Sequence, residues 1–197
     1  MMTRAKPAVL LMLGWVGLLW GLEVIDHASG HALDSFGIQP REAGELVDVI
    51  PSAFVHFGFD HLAANTVPLL ILGLIAALRG GIRRFLAVVL LITVVGGLGV
   101  WLTAAPGTNT AGASGVVFGL FGYLLARGFI ERKPLDVVLA VLVGAAYGSI
   151  MWGVLPTAGG ISWQGHLFGL VAGVLAAFVL RQRALPKAAR PAVGPVA

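Results

Sequence analysis

The sequence contains no cysteine. Disulfides, thiolate zinc sites and cysteine nucleophiles are therefore excluded, and thiol usage leaves no mark of a redox compartment. Charge is scarce as well: Asp, Glu, Lys and Arg make up 11% of the 197 residues, against about 25% in an ordinary soluble domain. Apolar residues account for 58% and the mean hydropathy is +0.93. Such a chain is solvated mainly by lipid. Its isoelectric point near 10.1 would suit a nucleic-acid binder, but the basic residues lie in short clusters between apolar runs. That pattern belongs to an integral membrane protein facing anionic lipid, so the expected partner is the bilayer and not nucleic acid. The regular alternation of a membrane barrel is also missing, which favours helices.

A spanning helix needs roughly 20 mostly apolar residues. Six segments qualify, at about 8–25, 61–78, 84–104, 113–130, 135–155 and 163–180. Turn and charge signals separate them: Arg79-Gly80-Gly81, Ala105-Pro106-Gly107, Glu131-Arg132-Lys133-Pro134 and the stretch from Pro156 to Gly160. Arg4 and Lys6 precede the first run, as in a signal peptide, but the run is long for one and lacks a clear cleavage site, so a retained helix is expected. With the N-terminus inside, twelve of the thirteen Lys and Arg fall on inner segments and only Arg41 lies outside. Residues 1–7 are then a cytoplasmic N-terminus and 8–183 a membrane domain. The Pro- and Ala-rich stretch 184–197 is expected to be a disordered cytoplasmic tail. The first external segment, about 26–60, carries Phe36, Ile50, Phe54, Phe57 and Phe59, which suits a loop lying in the membrane interface.

This topology gives the polar residues a depth. His61 and Asn65, four apart on one helix face, Ser114 in the first turn of the fourth helix, and His166 one turn into the sixth all fall at the same outer level. A serine hydroxyl attacks only when a base takes its proton, and His166 is the available base. The N-terminus of the fourth helix offers free N–H groups beside Ser114, and His61 and Asn65 can add donors for an oxyanion. No carboxylate stands ready to orient His166, so the expected catalytic pair is a dyad. Each residue also has a plainer role: Ser114 as a packing residue, Asn65 as an interhelical hydrogen bond, His56 as an interfacial structural residue. No carboxylate or thiolate clearly completes a metal set from His56, His61 and His166, so no metal and no cofactor is expected. Gly165, Gly169 and Gly173, facing Gly115, Gly119 and Gly122, would let the fourth and sixth helices approach closely.

Three stretches together resemble the rhomboid intramembrane serine proteases: His56-Phe-Gly-Phe-Asp-His61-Leu-Ala-Ala-Asn65, Gly112-Ala-Ser114-Gly115-Val-Val-Phe118-Gly-Leu, and Gly165-His166-Leu-Phe-Gly169-Leu-Val-Ala-Gly173. The resemblance covers roughly 40–180. It implies an all-α, six-helix bundle of the bacterial type in the plasma membrane, with an outward-opening cavity. Ser114 would be the nucleophile, His166 the base, and His61 with Asn65 part of the oxyanion hole. It also implies that the substrates are transmembrane proteins, cut in or near a span where small residues let the helix unwind. Two departures stand out. Phe118 occupies a position where some members carry a tyrosine against the histidine, so stacking is possible but a hydroxyl contact is not. The Trp-Arg pair that many members have in the first loop is absent, with Pro40-Arg41 in a similar region. Two other classes compete. A non-catalytic rhomboid-like protein that escorts membrane clients would usually have lost the serine or the histidine. A small transporter would need an inverted repeat or a charged path, and the inner helix halves read as apolar.

Overall fold

A computed structural model describes residues 2–156 and 161–181. The expected tail at 184–197, with its basic residues, lies outside the described residues. Six α-helices follow one another: α1 (Met2–Ala28), α2 (Phe59–Gly80), α3 (Ile82–Thr103), α4 (Ser114–Glu131), α5 (Pro134–Tyr147) and α6 (Trp163–Val179). Five helical segments are long and apolar enough to cross a bilayer, and α6 is a shorter apolar helix. The chain is a multi-pass, all-α membrane bundle. Local chemistry sets its breaks. Gly58 (φ 100°) and Gly81 (φ 79°) turn the chain at the two ends of α2. Pro134 opens α5 at a position where its missing N–H costs no helical hydrogen bond. Ser162 caps α6 by accepting the Gly165 N–H at 3.2 Å.

The helix bounds differ from the sequence expectation chiefly in α1 and α5. α1 is longer at both ends. α5 stops at Tyr147 and continues as 3-10 turns over Gly148–Val154. The first external segment is built from short 3-10 turns, Ala32–Phe36, Ala43–Val49 and Pro51–Ala53. Its aromatics are not all turned outward: Phe54 packs on Trp15 of α1 with ring centroids 5.9 Å apart. Arg41 donates to the Ala104 carbonyl at 2.8 Å, and Trp101 donates to the Glu42 carbonyl at 3.1 Å, which fastens this segment to the end of α3.

α6 lies between α3 and α4, and glycines on both sides allow the approach. A side chain at Gly169 or Gly173 would overlap the Gly115 or Gly119 carbonyl, and one at Gly99 would overlap Phe168. At the opposite end of the bundle from Ser114, Asp136 of α5 accepts from Arg79 at 2.8 Å and from Arg127 at 3.1 Å. Arg127 also donates to the Tyr123 hydroxyl at 3.0 Å. The sequence counts Arg127, near the end of the expected fourth helix, among the inner charges. The structure buries it in α4, where its charge is matched by a carboxylate.

Candidate active site

The chain reaches Ser114 through a short, heavily tied segment. Ile38 and Thr110 exchange backbone hydrogen bonds at 2.8 and 3.1 Å, and the Gly112 N–H donates to the Ser52 carbonyl at 2.8 Å. Gly112 has φ 122°, and the His61 ring packs so closely that a Cβ there would lie 2.6 Å from it. Glycine is needed at this position on both counts. Ser114 then opens α4. The first intrahelical bond from the segment's end runs from the Val117 N–H to the Ala113 carbonyl, so the N–H groups of Ser114, Gly115 and Val116 have no acceptor within the helix.

Ser114, Gly115, Gly112, His61 and His166 line a single cavity of about 370 Å³. Its walls come from α2, α3, α4, α6 and the first external segment, through residues such as Thr93, Gly96, Ser52 and Phe57. His166 is held from two sides. Its ring stacks on Phe118 at 4.0 Å with the planes 6° apart, and its Nδ1 lies 2.9 Å from the Gly153 carbonyl. A carbonyl can only accept, so Nδ1 carries a proton and the neutral ring keeps its lone pair on Nε2. A side chain at Gly153 would come within 2.9 Å of Phe118 and 3.0 Å of His166 Nδ1. Among the described residues no hydrogen bond joins Ser114 to His166; catalytic contacts commonly tighten only when substrate is bound.

Asn65 is placed differently from the sequence expectation. It is buried, it does not line the cavity, and its Nδ2 donates to the His61 carbonyl of its own helix at 3.0 Å. Gly169 does not line the cavity either; it supports the site by letting α6 press on α4. His56 is buried within the protein. It is 1% exposed, stands edge-on to His61 at 5.2 Å, and its Nε2 accepts the Ala113 N–H at 3.1 Å. Burial pushes the His56 imidazole down to about 4; the neighbouring His61 acts in the same direction and the Phe54 backbone opposes it. The sequence carries no signal for the Gly153 carbonyl, because a backbone acceptor has no residue signature. The His56 contact had a partial signal in a histidine five residues before His61, but its acceptor role depends on the fold.

Comparison with known proteins agrees with the arrangement of these elements. A profile described as "Rhomboid domain" matches residues 43–183. An uncharacterized protein of Mycobacterium tuberculosis is 42% identical over 190 residues, covering 90% of this chain and 79% of that protein. An uncharacterized protein of Mycobacterium leprae is 37% identical over 177 residues, 86% of this chain and 70% of that protein. The rhomboid protease GluP of Bacillus subtilis is 28% identical over 151 residues, 74% of this chain but 27% of its own length.

Proposed function

Because the chain belongs to the rhomboid family, we propose that it is an intramembrane serine endopeptidase acting on transmembrane proteins through Ser114 and His166. The observation that carries this reading is one cavity lined by both side chains, with His166 stacked on Phe118 and pinned through Nδ1 to Gly153. A proton on Nδ1 leaves Nε2 as the base, the task that an orienting carboxylate performs in a triad. His166 Nε2 takes the Ser114 hydroxyl proton as Oγ bonds to the scissile carbonyl carbon. The carbonyl oxygen becomes an oxyanion. His166 then gives its proton to the leaving amine, the C–N bond breaks, and an acyl ester remains on Ser114. Water, deprotonated by His166, hydrolyses that ester and restores the serine.

The Gly112 and Ala113 N–H groups already have acceptors in Ser52 and His56. The proposed oxyanion donors are therefore the Ser114 N–H and the His61 ring. Asn65 joins them when side-chain rotation frees its Nδ2 from the His61 carbonyl. The positive-inside pattern supports cytoplasmic termini in a bacterial plasma membrane, with the Ser114 end of the bundle outward. A purified transmembrane substrate reconstituted with the protein tests the reading. Cleavage is expected to fall at least about 10³-fold in Ser114→Ala, down to what the remaining site supports. Undiminished cleavage by that variant would overturn it.

A further inference from the structure

Where α1 ends and the first external segment begins, three groups able to hold a metal ion gather near the Ser114 end of the bundle. Asp26, His31 and Asp34 each offer a donor atom, and these atoms all lie within 4.8 Å of one another. Asp26 is already oriented, with one oxygen accepting the Leu33 N–H at 2.7 Å and the other 2.9 Å from His31 Nδ1. His31 has φ 67°, a conformation unusual for a non-glycine residue, and this turn brings the ring back to Asp26 five residues earlier.

The second observation is Glu23, one turn before Asp26 on α1. It is 2% exposed, and neither carboxylate oxygen has a hydrogen-bond partner among the described residues; the Gly58 N–H lies near without completing one. It stands three residues before Asp26 on the same side of α1, and its carboxylate feels the charges of Asp26, Asp34 and His31. One oxygen of Asp34 is likewise enclosed and unpartnered. Three carboxylates with no Lys or Arg paired to them among the described residues repel one another.

We infer that Glu23, Asp26, His31 and Asp34 form a site for one divalent cation of the zinc class. An imidazole among carboxylates suits Zn²⁺, whereas Ca²⁺ and Mg²⁺ take oxygen donors. Side-chain rotation suffices to draw donors at this spacing onto an ion with bonds of about 2.0–2.2 Å. The ion would fasten the external segment to α1. The Asp34 carbonyl accepts from Asn109 at 2.8 Å, and Ile38 pairs with Thr110, so the fastened segment is the one braced against the approach to Ser114.

The test uses the full-length protein in detergent micelles, stripped with EDTA and titrated with Zn²⁺ against a zinc indicator. One saturable equivalent per chain is expected. His31→Ala and Asp34→Asn are each expected to weaken it at least about tenfold, and Ca²⁺ or Mg²⁺ at equal concentration to leave it in place. His31 is an exposed loop side chain, so its variant stays folded even where Glu23→Gln does not; unfolding temperatures without metal check this. No saturable binding by the unaltered protein overturns the assignment. So does binding undiminished in both variants, or binding lost instead in His61→Ala, which would put the ion in the cavity. Equal competition by Ca²⁺ would remove the imidazole from the site. None of these readouts requires proteolysis, so their failure is distinct from failure of the peptidase reading.

Discussion

Acidification is expected to loosen the Ser114 segment through His56. In the folded protein this ring must stay neutral, because Nε2 accepts the Ala113 N–H and the side chain is buried. Unfolded, it would take a proton near its ordinary 6.5, whereas folded it does so near 4. The folded value is the depressed one, so the stabilisation is fully present above 6.5 and is lost as the pH falls through 6.5 towards 4. The gap, at roughly 1.4 kcal/mol per tenfold change in proton affinity, amounts to about 3 kcal/mol. His56→Gln can offer an amide oxygen to Ala113 but does not titrate. Equilibrium unfolding in mixed dodecylmaltoside and SDS micelles at several pH values measures the difference. The unaltered protein should lose about 3 kcal/mol more than His56→Gln between pH 6.5 and 4, since all other titrating groups are common to both. Parallel pH profiles would refute the reasoning.

Two further outcomes rest on side-chain contacts. Asp136→Ala leaves the buried Arg127 and the half-buried Arg79 without their carboxylate, and the same unfolding assay should register a loss of about 3–5 kcal/mol. Phe118→Ala removes the face on which His166 stacks. Its cleavage rate should fall about 10- to 100-fold with little change in KM, while Phe118→Tyr keeps the ring and most of the rate.

The helices were legible in the sequence because lipid imposes a length and a composition on them, and charge placement orders them. The α4–α6 approach was legible from glycine spacing, since a missing side chain shows in the sequence as plainly as a present one. Less could be read where the backbone does the work. The 3-10 turns after Tyr147 place the Gly153 carbonyl on His166, yet Gly148–Val154 reads as more apolar helix. Asn65 shows the opposite limit: its helical spacing from His61 correctly puts both on one face, but its amide satisfies a carbonyl of that same helix. Arg127 was read by its sign as an inner topogenic charge, and only the fold brings Asp136 to it. The cluster of Asp26, His31 and Asp34 depends on a left-handed turn at His31 that no spacing announces.

The most direct measurement is labelling of purified protein with a fluorophosphonate, which reacts with an activated serine and needs no knowledge of the natural substrate. Labelling is expected at Ser114, absent in Ser114→Ala, and lost in His166→Ala, because Nε2 must take the hydroxyl proton. A folded protein that does not label, or that labels equally in His166→Ala, would contradict a Ser114–His166 dyad.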